Sequence, residues 1–346
     1  MGSKAMIAMS GGVDSSVAAF LMQREGFSCI GATMHLLERT SADVEDARAV
    51  AQRLGIPFHV LDFTAEFRRE VMDEFVRCYE TGLTPNPCVV CNRRLKFGAL
   101  LEAALELGCD YIVTGHYAQI ESNNGRYLLK KAADSGKDQS YFLYALKQGQ
   151  LSHIRFPLGG LTKDEARSIA QAQGFINARK RDSQDICFIP DGDYFAFLQK
   201  YTGKAYPCGK FLDMDGKVVG THQGAVAYTR GQRKGLGLAM GHPVYVSSKD
   251  MQNNTVTVCD NDQLFSTSLL ANDWTFFPFD DLAQPIRCKA KARSRMIEQP
   301  ATVYPEENGS MRVVFDEPQR ALTTGQAVVL YDGDYVIGGG TITDTL

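Results

Sequence analysis

Between an apolar run, Ala5 to Met9, and a helical stretch from Val17 to Glu25 closed by Gly26 stands the segment Ser10-Gly11-Gly12-Val13-Asp14-Ser15-Ser16. A short apolar strand, a glycine turn and a helix make the opening of a parallel α/β unit. The glycines let the backbone approach a ligand closely, and amides at the start of the following helix can hold phosphate oxygens. No Gly-Lys-Ser/Thr follows, and the G-x-G-x-x-G spacing is missing, so neither a γ-phosphate-transferring loop nor a dinucleotide fingerprint is present. A plain turn with Asp14 and Ser15 capping the helix is the competing reading. The position at the end of the first strand favours phosphate.

The same alternation continues for about the first 200 residues. Strand-like Cys29 to Met34 is followed by a helix from Asp43 to Leu54, an apolar Phe58 to Phe63 and a long helical pattern from Ala65 to Tyr79. A helix from Asn92 to Leu107 then feeds Tyr111-Ile112-Val113-Thr114, whose unbroken apolar character suits a strand buried on both faces. These units predict an α/β doubly wound parallel sheet. A hairpin around Arg126 to Lys131 and helical patterns at Gln139 to Leu146, Thr162 to Gln173 and Tyr194 to Lys200 complete this part. From Lys204 onward, short Val/Thr/Tyr-rich runs are punctuated by Asp215-Gly216, Asn308-Gly309 and Asp332-Gly333, which are hairpin signals. The residues therefore predict an α/β domain followed, from about Lys204, by one or two small β domains.

A chain of 346 residues with 44% hydrophobic and 22% charged residues is globular, and no apolar run approaches the roughly 20 residues of a membrane span. The N-terminus runs straight into the first strand without a signal peptide, and Met6 breaks the myristoylation pattern, so the expected location is cytoplasmic with no membrane contact. A net charge of −3 argues against nonspecific coating of nucleic acid but allows a local basic face. Such a face is offered by Arg287, Lys289, Lys291, Arg293 and Arg295, which recur at every second position and in a strand would share one side. A charged edge strand guarded against aggregation is the alternative.

The nine cysteines are an odd number without a disulfide-framework spacing. In Thr84-Pro85-Asn86-Pro87-Cys88-Val89-Val90-Cys91-Asn92 a proline turn precedes a helix, which would place Cys91 where amides and the helix dipole favour a thiolate. Far downstream, Asp182-Ser183-Gln184-Asp185-Ile186-Cys187-Phe188-Ile189 sets a second cysteine among polar residues. On residue type alone, either cysteine can equally be a small buried hydrophobe.

The segment Ala8 to Ser16 resembles the PP-loop of ATP pyrophosphatases, which transfer AMP to an oxygen and release pyrophosphate. The whole chain resembles the bacterial tRNA-specific 2-thiouridylase family. The resemblance is carried by Ser10 to Ser16, Thr84 to Pro87 with Cys91-Asn92, Thr114-Gly115-His116-Tyr117, Lys137-Asp138-Gln139-Ser140-Tyr141-Phe142-Leu143 and Cys187-Phe188-Ile189. Gly231-Gln232-Arg233-Lys234-Gly235-Leu236-Gly237 and Phe315-Asp316-Glu317-Pro318 extend it. It implies a PP-loop ATP-binding catalytic domain over 1–203, a central small β domain over 204–270 and a C-terminal β-barrel over 271–346. It also implies ATP, with Mg²⁺ to neutralise the triphosphate, bound by Ala8, Met9, Ser10, Gly11, Gly12, Val13, Asp14 and Ser15 together with Met34 and Gly115.

The activity implied is adenylation of the 2-oxygen of the wobble uridine in tRNA. Sulfur carried on Cys187 as a persulfide from a sulfur-donor protein then replaces that oxygen, and Cys91 completes release by pairing with Cys187 in a disulfide. Asn86, Pro87 and Cys88 would meet the flipped target base. His116, Lys137, Asp138, Gln139, Arg293, Ser294 and Gln326 match tRNA-contacting positions of the family. His116 also reads as a satisfied core histidine, and Met34 as core packing. Two departures stand out. Cys88 occupies a place where the family commonly has an aspartate general acid/base, so Cys88, Cys91 and Cys187 could instead hold a [4Fe-4S] cluster that binds sulfide. The stretch between Met34 and Asp46 is shorter than is usual in the family, leaving its nucleotide contacts open.

Overall fold

The structure is a computed structural model and describes residues 2–37, 42–180 and 186–346. Its first sheet is built around β1 (Lys4–Ala8), flanked on one side by β2 (Ser28–His35) and β3 (Phe58–Asp62) and on the other by β4 (Tyr111–Val113). After the hairpin β5 (Gln119–Asn123) and β6 (Arg126–Lys130), β7 (Ile154–Arg155) completes the order β3-β2-β1-β4-β7. All pairings in this sheet are parallel. Alternation along β1 sends Met6 to one face, among Ile30, Ile112, Phe97 and Leu100. Ala5 and Ile7 point to the other, among Val17, Ala18, Ala166 and Ala170. Both faces are covered, which is the doubly wound arrangement. Strand order reverses between β1 and β4, the chain building outward to β3 on one side and to β7 on the other, so the loops after these two parallel strands meet at the switch point where ligands bind in such sheets.

Helix α1 (Val13–Arg24) starts earlier than the apolar pattern suggested, directly at the glycine turn, and α2 (Ala42–Leu54) packs beside it. Two longer helical runs, 64–80 and 87–106, each contain a widened π-helical stretch, Arg68–Met72 and Asn92–Ala99. The helical pattern at Gln139 to Leu146 is realised only as a single 3₁₀ turn, Ser140–Leu143. Asp138 sets this turn by accepting from the Ser140 amide at 3.2 Å and the Ser140 hydroxyl at 2.8 Å, a side-chain arrangement that competes with helix. The last helix, Tyr194–Thr202, stops at Gly203.

The next four strands are β8 (Gly209–Leu212), β9 (Val218–His222), β10 (Tyr245–Asp250) and β11 (Thr255–Cys259), which form a separate sheet in the order β10-β11-β8-β9. A six-stranded antiparallel barrel follows. It consists of β12 (Phe265–Phe276), β13 (Ile286–Lys291), β14 (Gln299–Pro305), β15 (Met311–Arg320), β16 (Ala327–Asp332) and β17 (Tyr335–Thr345). Pairing of β12 with β17 closes it. The β5–β6 hairpin of the first part joins the barrel sheet through Lys130 and Tyr335.

The five-cation stripe is corrected here. Strand β13 ends at Lys291, because Ala292 begins a turn in which the Met296 amide donates to the Arg293 carbonyl at 3.1 Å. Only Arg287, Lys289 and Lys291 share the strand, and Arg287 is engaged by Asp316.

Candidate functional site

The phosphate loop begins where β1 delivers Met9, whose carbonyl accepts from the Thr33 hydroxyl at 2.6 Å. Gly11 has a φ of +72°, and a side chain on it would run into the Asp43 carbonyl oxygen at 2.2 Å. This is a position that only glycine fills. Ser15 and Ser16 turn their hydroxyls back to the Gly12 carbonyl at 3.1 and 3.0 Å, and Ser15 Oγ also accepts from the Ser10 amide at 3.1 Å. Asp14 and Ser15 therefore do not cap α1, and no side chain takes up the amides of its first turn from the N-cap position. From outside the loop, Asn177 donates to the Gly11 carbonyl at 3.0 Å and Ser16 Oγ at 2.9 Å. Lys180 reaches the Gly11 carbonyl at 3.3 Å while pairing with Asp43 and Asp46. The chain after Met34 thus brings the start of α2 against the loop. Met34 itself is half-buried near the end of β2, packed beside the cores on either side of it.

Gly115, after β4, completes the floor. A Cβ there would lie 2.7 Å from the Asp14 carbonyl carbon and the Ser15 amide nitrogen, so the two loops touch backbone to backbone. Next to it, His116 is buried between Phe97 and Phe156 with Nδ1 2.7 Å from the Thr114 hydroxyl. Burial, aided by the nearby Lys96 charge, holds its pKa well below the ordinary histidine value, so it acts as a neutral ring. The next residue, Tyr117, gives its hydroxyl to Asp14 Oδ1 at 2.9 Å.

The cysteine segment differs from its expected placement. Pro87 opens the helix Pro87–Cys91, which puts Cys88 in the first turn and Cys91 a full turn in. Cys91 is buried, and burial raises its thiol pKa, the reverse of the thiolate expected from a helix N-terminus. Cys88 and Cys187 reach solvent but sit among crowded groups that also push their thiols up, Cys187 to about 11. Cys91 shares one apolar core with Ile186, Phe188 and Ile189, so the fold brings the Cys187 segment to the Cys88–Cys91 helix from a distant stretch of chain. Phe188 anchors the second stretch, packing edge-on to Phe67 and Phe75 at ring distances of 5.7 and 5.3 Å. Asp182 to Asp185, the polar run before it, lie outside the described residues. All nine cysteines are free. Among the described residues no three His, Cys, Asp or Glu side chains converge as a metal-holding group, so the thiols as placed do not form a cluster site.

Lys96 was not singled out by sequence reasoning. Half-buried on the widened helix, it is the cation that opposes the burial effect at Cys88, Cys91 and Cys187 alike. In a regular α-helix a five-residue step from Cys91 would turn about 140° away, and the π-helical stretch narrows that angle. No spacing rule for an ordinary helix would have found it.

The proline turn is held by the barrel. Gln326 donates to the carbonyls of Thr84 at 3.0 Å and Pro85 at 3.1 Å, and the Thr84 amide donates to the Thr324 carbonyl at 3.0 Å. Tyr141 links the same parts by donating to the Ala327 carbonyl at 2.9 Å, with the Asn86 side chain beside its hydroxyl. Asp138 and Gln139 are also engaged internally: Gln139 exchanges hydrogen bonds with the Tyr117 backbone, accepting and donating at 2.9 Å. Arg293 and Ser294 lie in the turn beyond β13, where Arg293 donates to the Arg320 carbonyl at 3.2 Å. The half-buried Lys131–Glu298 pair, at 2.6 Å, ties that turn to the base of the β5–β6 hairpin.

A glycine-rich loop of this form at the switch point of a doubly wound sheet defines a PP-loop enzyme that uses ATP. Family profiles match nearly the whole chain: a tRNA methyl transferase HUP domain over residues 3–191, a tRNA methyl transferase PRC-barrel domain over 195–260 and an aminomethyltransferase β-barrel domain over 266–342. The tRNA-specific 2-thiouridylase MnmA of Acetivibrio thermocellus is 48% identical, over 98% of this chain and 99% of its own. That of Clostridioides difficile is 45% identical over 100% and 99%, and that of Symbiobacterium thermophilum 47% identical over 98% and 92%. The chain belongs to the tRNA-specific 2-thiouridylase family. A solved 4-thiouridine synthetase–RNA complex with bound ATP aligns over 57% of this chain and 50% of that one, at 18% identity and a TM-score of 0.40, too weak a likeness to inform the site. Among the described residues no helix is long and apolar enough to cross a membrane.

Proposed function

We propose that this chain uses ATP to replace the 2-oxygen of the wobble uridine of tRNA with sulfur, acting in the cytoplasm. The observation that carries the reading is the packing of the Cys187 segment, through Phe188 and Ile189, in one core with Cys91, in a molecule that also holds a PP-loop at its sheet's switch point. ATP, with Mg²⁺ on its phosphates, lies along Ala8 to Ser15 with Met34 and Gly115 beside the nucleoside. The uridine 2-oxygen attacks the α-phosphorus and pyrophosphate leaves. The terminal sulfur of a Cys187 persulfide then attacks C2 and AMP leaves. Finally, Cys91 attacks Cys187 Sγ, forming a disulfide and freeing the thiouridine. The persulfide relay is preferred to a cluster because the two cysteine segments share one core without forming a metal-holding group among the described residues.

In this reading Asn86, Pro87, Cys88 and the neutral His116 surround the extruded base. Lys137, Arg293 and Ser294 reach RNA from the rim. Asp138, Gln139 and Gln326 shape the segments that touch it. The open face of Cys187 is where a sulfur-donor protein delivers its sulfur. The functional division follows the three sheets, with the C-terminal part opening at β12, Phe265, rather than at 271. Incubation with ATP, unmodified tRNA and a persulfide donor, whose sulfane sulfur passes to Cys187, should yield 2-thiouridine by mass spectrometry, and Cys187→Ser should yield none. Wild-type protein that binds tRNA normally yet makes no 2-thiouridine would end this reading.

A further inference from the structure

Several arginines on and around the barrel are answered by carboxylates: Arg287 by Asp316, Arg312 by Glu306 at 2.7 Å and Arg126 by Asp280 at 2.9 Å. Arg230 and Arg320, where the central sheet joins the barrel, are not. Arg230 Nη1 donates to the Thr345 hydroxyl at 2.6 Å, and its Nε is buried without a partner. Arg320, the last residue of β15, donates from Nε to the Asn261 side-chain oxygen at 2.9 Å, and its guanidinium lies over the Tyr245 ring at 4.8 Å. Each fork is oriented by neutral groups, which fix it without cancelling its charge. The acids beside these partners are turned elsewhere. Asp260 faces His242 at 3.2 Å, Asp344 accepts from the Thr345 amide at 2.7 Å, and Asp262 is exposed.

The backbone is bent to bring the two arginines to one place. Gly231, next to Arg230, has a φ of +82°, and a side chain on it would come within 2.7 Å of Ala321 Cβ and 3.5 Å of Arg320 Nη1. Ala321 itself has a φ of +52°, a left-handed conformation disfavoured for alanine, and its amide donates to the Leu264 carbonyl at 2.8 Å. Such strain persists where the surroundings over-determine it, and it gathers at ligand sites. A buried guanidinium nitrogen without a partner also destabilises the fold, and an apolar side chain would fill the joint at lower cost. What two arginine forks add is a positive face with N–H donors left over, which suits the oxygens of a phosphate. The joint is continuous with the turn after β13, because Arg293 Nη1 donates to the Arg320 carbonyl at 3.2 Å. Past Gly231, the exposed Arg233 and Lys234 carry the positive surface onto the central domain.

We propose that Arg230 and Arg320, at the joint of the central sheet and the barrel, bind the ribose-phosphate backbone of the RNA outside the target-base pocket. The strand that passes Arg293 continues across this joint, so the central domain holds RNA rather than serving only as a spacer. The site reads charge and not sequence, as phosphate contacts do. This rests on the tRNA-binding part of the reading above.

The test uses wild type, Arg230→Gln, Arg320→Gln, the double glutamine variant, the double lysine variant and Arg312→Gln. Equilibrium binding of tRNA is measured over a series of salt concentrations, and KM against kcat for 2-thiouridine formation. The double glutamine variant should bind tRNA about 30-fold more weakly, the loss expected for two charge-assisted contacts. Its plot of log affinity against log salt should be shallower by about 1.5, for two phosphates released. KM for tRNA should rise while kcat stays within about twofold and ATP binding is kept. Each single variant should fall between, the double lysine variant should keep the wild-type salt slope, and Arg312→Gln, whose charge Glu306 already answers, should match wild type. Unchanged tRNA affinity or an unchanged salt slope in the double glutamine variant would overturn the proposal, as would an equal loss in Arg312→Gln. A matching loss of ATP binding would mean that the arginines hold the fold, and would overturn it too. So would a loss confined to sulfur delivery by a donor protein, which would assign the joint to that protein. Wild type that binds tRNA but forms no 2-thiouridine would end the functional reading, while the salt series would still decide this site.

Discussion

The phosphate loop and the cysteine site sit in one domain but are held in different ways. Around the loop, polar groups are already in place: serine hydroxyls, Asn177, Lys180, Lys163 and Tyr117 fix its backbone and side chains, and Gly115 presses against it. Around the cysteines, position is set by apolar anchors such as Phe188 and by a turn borrowed from the barrel, and every thiol is held toward its neutral form. The contrast teaches that the two half-reactions are prepared to different degrees. Activation of an oxygen relies on preorganised donors, which cost no rearrangement when charge develops. Sulfur transfer relies on a nucleophile that has still to be created on Cys187.

Three perturbations should separate the two regions. The largest effect is expected for Gly115→Val, whose side chain cannot fit against the Asp14 and Ser15 backbone. Displacing the loop by an ångström should lower tRNA-dependent pyrophosphate release by about 100-fold. Alkylation of Cys187 should be unaffected, and parallel loss of both would erase the distinction. A smaller effect is expected for Gln326→Ala, which removes two hydrogen bonds to the proline turn. About 1–2 kcal/mol of positioning, close to tenfold in 2-thiouridine formation, should be lost while ATP binding is kept. The smallest is a matter of pH. With its thiol pushed up to about 11, Cys187 should be alkylated faster at each step from pH 7 to 10, whereas an ordinary free cysteine reaches half its maximal rate near pH 8.5 and levels off above it. The sign follows from the raised value: the folded site prefers the protonated thiol, a preference present at neutral pH and lost as pH rises through about 11. A plateau below pH 8 would mean a pre-formed thiolate.

How much of this was legible in the sequence depended on whether an interaction is local. The phosphate loop could be read because strand, glycines and helix are contiguous, and the parallel sheet followed from repetition of that unit. The barrel could be recognised by its hairpin signals, but its capture of the β5–β6 hairpin could not, because that pairing joins Lys130 to Tyr335. Cys91 was misplaced by one helical turn because Pro87, not the cysteine, opens the helix. Lys163 and Lys96 escaped notice for related reasons. One acts on Asp14 from a distant helix, and the other is brought toward the thiols by a π-helical widening that ordinary helix periodicity does not encode. The cation stripe failed at Arg293, where side-chain alternation continues but a turn has replaced the strand.

The most direct test of the claim that activation is built in and sulfur transfer is not uses Cys187→Ser with tRNA and ATP labelled in the α-phosphate. The account predicts that label accumulates on tRNA as an adenylated intermediate while 2-thiouridine is absent. Absence of labelled tRNA, in a variant that still binds ATP and tRNA, would contradict it.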